Sequence, residues 1–158
     1  MTLAKPRVWQ NFWHFLAFGF GSGLARKAPG TWGTVAGLVF VPLLQWLALP
    51  LALGIIVLAS LFGVWLCGKV ADDLGVHDHG GIVWDEIVGI WITLILLPAS
   101  WGWWLAGFVV FRFFDILKPW PINWLDRRVS GGLGIMLDDI LAGVLAALVL
   151  LAGQYVLF

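Results

Sequence analysis

Leu51–Gly68 reads LALGIIVLASLFGVWLCG, eighteen residues without one charged side chain. Crossing the hydrocarbon core of a bilayer as a helix takes about 20 apolar residues, within a range of about 17–25. Similar runs occupy Thr34–Leu49, Ile82–Pro98, Trp101–Leu117 and Ile140–Phe158. The composition agrees: 61% of the chain is hydrophobic and 11% charged, where soluble domains carry about 25% charged residues. Twelve tryptophans stand against one tyrosine, and tryptophan favours the membrane–water interface. The pattern predicts an all-α, multi-pass helical membrane protein with about four to five membrane-embedded helices, and residues 1–158 as a single domain.

Several of these runs are short for a full crossing. Their charged ends are expected to continue as helix beyond the bilayer, or the bilayer to thin locally. Pro50 and Pro98 mark tight turns, which predicts two helical hairpins. The N-terminal stretch lacks a small-residue cleavage site, and Asn11 and His14 break its apolar run. It reads as a retained interfacial helix rather than a signal peptide. Cys67 is the only cysteine, which excludes an intrachain disulfide. A formal net charge of zero gives no reason to expect a nucleic-acid partner.

All eighteen charged side chains fall in three places: before the first run, between the second and third, and from Arg112 to Asp139. The turns at Pro50 and Pro98–Trp101 and the C-terminal tail carry none. The positive-inside rule puts the charged side in the cytoplasm, with the N-terminus inside and the C-terminus outside. Such one-sidedness argues against a transporter, which needs polar groups near the midplane. The chain reads as an apolar pedestal for a cytoplasm-facing site.

Three polar clusters converge on that face. In Gly19–Thr34, GFGSGLARKAPGTWGT, the hydroxyls of Ser22, Thr31 and Thr34 and the backbone N–H groups suit an anion. The spacing matches no P-loop, and the plain alternative is a turn with Thr34 as helix N-cap. In Gly75–Trp91, GVHDHGGIVWDEIVGIW, a glycine-flanked His77–Asp78–His79 precedes Asp85 and Glu86. Carboxylates at a helix start gain about 0.3–1 kcal/mol from the dipole, but set against an apolar run they are functional candidates. Oxygen ligands of this kind suit magnesium, and the histidines lack zincin spacing. In the third cluster, Arg112, Asp115 and Lys118 recur every three residues, so one helix face is expected to carry them. Asp126, Arg127 and Arg128 read as a solvated group near lipid headgroups. Asp138 and Asp139 are expected to start the last span, as Asp85 and Glu86 start the third. Together these features suggest metal-assisted hydrolysis of a phosphate on a lipid headgroup, with a histidine or aspartate moving the proton.

The stretches GSGLARKAPGTWGT, GVHDHGGIVWDEIVGIW and RFFDILKPWPINWLDRRVSGGLGIMLDDILAG resemble the phosphatidylglycerophosphatase A family over about Phe18–Gly143. The resemblance implies a magnesium-dependent, multi-pass phosphatase of the bacterial inner membrane, its active site facing the cytoplasm. It would hydrolyse phosphatidylglycerophosphate to phosphatidylglycerol and inorganic phosphate. The matching positions are Pro29–Gly30–Thr31, His77–Asp78–His79–Gly80, Trp84–Asp85–Glu86, Arg112, Asp115, Lys118 and Asp138–Asp139. With this chemistry, Asp85, Glu86, Asp138 and Asp139 are the expected metal ligands. Ser22, Thr31, Thr34, Arg112 and Lys118 are the expected phosphate contacts, and His77, Asp78, His79 and Asp115 the expected catalytic groups. A CDP-alcohol phosphotransferase is disfavoured because its D-G-x-x-A-R…G…D…D signature is absent.

Overall fold

A computed structural model describes residues 4–158, whose regular elements are all helices, with no strand among them. The helices are α1 (Phe12–Ala17), α2 (Pro29–Trp46), α3 (Leu49–Leu74), α4 (Trp84–Leu94), α5 (Trp101–Leu117), α6 (Ile122–Asp126) and α7 (Gly131–Leu157), with a 3-10 turn at Ser22–Leu24. Two of them, α3 and α7, are long and apolar enough to cross a membrane. At 1.5 Å per residue each is about 40 Å long. Leu53, Val57, Leu58 and Leu61 face outward from α3, where a helix in water would carry polar residues.

The expected extension beyond the apolar runs is present. α3 continues past Gly68 through Lys69 and Asp72 and ends on Gly75, whose φ of 69° is the left-handed conformation that closes helices. α7 starts nine residues before Ile140. Asp138 and Asp139 therefore do not start this helix but lie two turns inside it, where no N-capping role can account for them.

The run Ile82–Pro98 behaves differently from an ordinary span. Only Trp84–Leu94 is α-helical, which makes α4 about 16 Å long, half the thickness of a hydrocarbon core. Nine of its eleven residues are buried, because α2, α3, α5 and α7 all pack around it. A helix that is apolar on every side satisfies itself equally well as a bundle core or in lipid. The indole N–H groups of Trp84 and Trp91 anchor it, donating to Ala59 O of α3 at 3.0 Å and Gly37 O of α2 at 2.9 Å. Small residues permit the close crossing with α7. A Cβ on Gly143 would stand 2.6 Å from Gly89 O.

The Pro50 turn joins α2 to α3 through Leu47 and Ala48 alone, yet these two helices share few contacts and α2 packs chiefly on α4. The N-terminal segment forms the six-residue α1, capped by the Asn11 side chain, which accepts from the N–H groups of Trp13 and His14. It packs on α3 through Trp13, whose ring meets Trp65 edge-on at 4.9 Å.

Candidate active site

The first turn of α4 carries Asp85 and Glu86 because the loop that precedes it folds tightly onto the core. Val83 donates its N–H to Ala17 O at 2.8 Å, and Ile82 to His79 O at 2.8 Å. From α7, Asp139 joins them. One oxygen from each of Asp85, Glu86 and Asp139 falls within 4.8 Å of the others. Asp85 and Asp139 are buried, and Glu86 nearly so.

α5 closes the cluster with Arg112 and Asp115. Arg112 is hydrogen-bonded to Asp115 and lies 3.9 Å from Glu86 Oε1, so its guanidinium bridges α5 to α4. Asp115 and Asp139 in turn lie close enough for each to act on the other's charge. The start of α2 forms the fourth side. Gly30 sits so close that a Cβ there would meet Glu86 Oε1 at 2.5 Å and the Arg112 guanidinium nitrogens at 3.1 and 3.3 Å. Pro29 suits the first helical position, having no N–H to leave unpaired.

Charge bookkeeping leaves this group incomplete. Four carboxylates face one guanidinium. Asp85 Oδ1, Glu86 Oε2 and Asp139 Oδ2 are buried without a hydrogen-bond partner among the described residues, as are Asp138 Oδ1 and Arg112 Nε. Buried carboxylate oxygens without partners are costly, and a divalent cation is the species whose bonding would satisfy them together. The donor set is all oxygen, which fits a hard cation such as magnesium rather than a thiophilic one.

A second polar knot lies beside the first. Lys118 Nζ donates to Asp138 Oδ2 at 3.1 Å and to Asp126 Oδ1 at 3.3 Å. Burial alone would lower the Lys118 amine, but the hydrogen bond and charge of Asp138, with those of Asp126, hold it above its usual value. Asp126 is held below the ordinary carboxylate range by hydrogen bonding with Asp138 and by the Lys118 charge, with a smaller contribution from His77.

The structure thus brings Asp85, Glu86, Asp139, Arg112 and Asp115 together, and places Asp138 with Lys118. The expected common face for Arg112, Asp115 and Lys118 does not hold. α5 ends at Leu117, and Lys118 turns into the left-handed conformation at φ 44°, so its amine is carried toward α6 and α7. Asp126 is likewise not a loose surface charge but the partner of Lys118. Arg128 stays outside, stacked 4.5 Å over the Trp124 ring.

The glycine-rich segment also differs from expectation. Thr34 is not an N-cap, since α2 starts at Pro29 after Ala28. Its buried hydroxyl donates to Gly30 O at 2.8 Å. Ser22 Oγ donates to Gly19 O at 2.8 Å. Both protons are therefore directed to carbonyls, whereas the Thr31 hydroxyl makes no hydrogen bond among the described residues. His77 and Asp78 are exposed on the loop leading to α4. His79 accepts the Gly81 N–H at 3.0 Å and packs near the Phe18 ring. None of the three joins the Asp85–Glu86–Asp139 set. Gly30 and Asp126 are the participants whose position the sequence reading missed.

This geometry is that of an all-helical protein with buried carboxylates and one guanidinium gathered from three helices, α4, α5 and α7. The model of the family described as phosphatidylglycerophosphatase A matches residues 15–154. A phosphatidylglycerophosphatase A of Escherichia coli (strain K12) is 53% identical over 147 residues, covering 92% of this chain and 86% of the relative. One from Haemophilus influenzae is 53% identical over 144 residues, covering 90% and 88%. No solved structure matches the chain. The chain belongs to the phosphatidylglycerophosphatase A family, and its reaction class is phosphoric monoester hydrolysis.

Proposed function

We propose that the protein is a magnesium-dependent lipid phosphatase that hydrolyses phosphatidylglycerophosphate to phosphatidylglycerol and inorganic phosphate. The observation that carries this reading is the set of partnerless buried oxygens on Asp85, Glu86 and Asp139, lying within 4.8 Å of one another beside Arg112. The names of the relatives support the substrate. The protein is a multi-pass component of the bacterial inner membrane, with four to five embedded helices and the carboxylates toward the cytoplasm. The apolar outer faces of α3 and α7 and the one-sided charge distribution support that placement.

In this reading Asp85, Glu86 and Asp139 hold the cation, with Asp138 close enough in sequence to contribute. When bound, magnesium supplies neutralisation of the phosphate charge and Lewis-acid activation of the attacking water. Arg112 and Lys118 clamp phosphate oxygens, and the Thr31 hydroxyl and the first N–H groups of α2 add donors. Ser22 and Thr34 shape this wall through their carbonyl bonds. Asp115, oriented by Arg112, takes a proton from the incoming water. A residue of His77–Asp78–His79 returns one to the departing glycerol oxygen. The phosphorus–oxygen ester bond breaks and water supplies the new oxygen.

Purified protein in neutral detergent, given phosphatidylglycerophosphate, is expected to release phosphate with magnesium and to stop with a chelator. No release under either condition would falsify the reading.

A further inference from the structure

We propose that the cleft between the N-terminal segment and the charged end of α3 is a second lipid site, which binds the phosphate-bearing headgroup of an anionic phospholipid. The cleft has a volume of about 550 Å³ and is lined by Lys5, Arg7, Asn11, His14, Lys69 and Asp73. His14 is only 4% exposed and fixes its walls. Its Nδ1 accepts the Arg7 backbone N–H at 3.2 Å, while its Nε2 lies 3.4 Å from Asp73 Oδ2. Asp73 also takes Lys69 Nζ at 2.9 Å. The one carboxylate of the cleft is thereby matched, and Lys5 and Arg7 have no acidic partner among the described residues. An uncompensated pair of cations, with the backbone held at Arg7 by His14, is a receptor for a phosphate group.

Two features make the occupant a lipid rather than a free ion. A neighbouring hollow of about 390 Å³ shares Asn11 and is lined by Val8, Trp9, Phe12 and Phe15, with Trp9 and Phe12 exposed. A polar cleft adjoining an aromatic hollow matches a molecule with a charged head and an apolar body. The cleft also sits at headgroup depth. Cys67, which packs on Met136 and the Asp85 backbone, and Lys69 are about 200° apart around α3 and about 3 Å apart along it. The cleft therefore lies behind α3 at the height of the carboxylates, on the opposite face. This inference rests on α3 crossing the membrane and is independent of the substrate assigned above.

The test uses the full chain in neutral detergent with mixed phosphatidylglycerol and phosphatidylcholine, and measures by mass spectrometry the lipid retained after purification. Wild type is expected to retain phosphatidylglycerol in preference. Each cation near an anionic surface is worth roughly fivefold, so Lys5→Ala with Arg7→Ala should cut the preference about 25-fold. Lys5→Glu with Arg7→Glu should reverse it. An unchanged preference in either double variant overturns the proposal. So does displacement of the lipid by inorganic phosphate alone, which would make the cleft a site for the free ion. Phosphate release from phosphatidylglycerophosphate in lipid-free detergent should be equal for wild type and variants. Release by neither would overturn the phosphatase reading while leaving the retention result to decide this one.

Discussion

Gly30 and Glu86 touch across the α2–α4 boundary with no space for another carbon, a Cβ on Gly30 falling 2.5 Å from Glu86 Oε1. The atoms it would meet are the ends of two flexible side chains, Glu86 and Arg112, rather than backbone. Gly30→Ala is therefore accommodated by pushing them aside. Alanine also gains up to about 1 kcal/mol of helix propensity, so the melting temperature should hardly move. Displacing the groups by about 1 Å is enough to cost on the order of 100-fold in rate. Steady-state kinetics beside a thermal melt checks this; a lowered melting temperature with unchanged kcat would contradict it.

The clustered carboxylates should make stability depend on magnesium. A cation at 100 times its Kd adds about 2.7 kcal/mol, so wild type should melt higher with magnesium than with a chelator. Asp139→Asn and Asp85→Asn should each lose that difference. In chelator the Asn variants should melt at or above wild type, because one like charge is gone. Their turnover should fall by more than the roughly 10–100-fold typical of outer-shell changes. If both keep near-normal rates, the ligand assignment is wrong.

Gln45 ties three helices together far from the carboxylates. Its Nε2 donates to Leu94 O at 2.8 Å and Leu97 O at 3.0 Å, and its Oε1 accepts from Trp104 Nε1 at 2.9 Å. Gln45→Leu leaves the Leu97 carbonyl and the Trp104 indole N–H without these partners, at about 1–3 kcal/mol each, while Leu94 O still accepts the Leu97 N–H at 3.0 Å. Unfolding in detergent should show a loss of roughly 2 kcal/mol or more, while kcat of the folded fraction stays unchanged. An unaltered unfolding midpoint would remove the structural role claimed for this residue.

Acid should loosen the Lys118–Asp126 contact in a defined direction. The carboxyl of Asp126 is held below its ordinary value, first by Asp138 and then by Lys118. Its contribution to stability is therefore complete above the unfolded value of about 4 and disappears as pH falls through the lower folded one. Asp126→Asn should flatten the acid side of a stability-versus-pH curve below about pH 4. A curve identical to wild type there would show that the contact contributes nothing.

The apolar runs and both acidic pairs were legible in the sequence because each is a local pattern. The helical fold followed from the runs, and Asp85 and Glu86 begin α4 as expected. The extent of α7 was not legible, because the apolar run begins only at Ile140 and Gly131, Gly132 and Gly134 ahead of it are poor helix formers. Gly132 is where α7 passes so near the Val64 carbonyl of α3 that no side chain fits, a tertiary demand for glycine inside a helix. Nor does an apolar run reveal whether lipid or other helices will surround it, so α4 read as a full span rather than an enclosed half-length helix. Lys118 was assigned to the Arg112 face by spacing, but a single positive φ redirects it. The ion pair between Arg112 and Glu86 joins residues 26 positions apart, beyond the reach of any local rule.

The enclosure of α4 bears on how the protein is made. Its neighbours come from both sides of it in the chain, and the last of them, α7, also delivers Asp139. During synthesis, Asp85 and Glu86 therefore emerge long before the wall that completes their surroundings. The carboxylate cluster is a late product of biogenesis, closed only when α7 docks, and a chain released before that has an acidic helix without its wall.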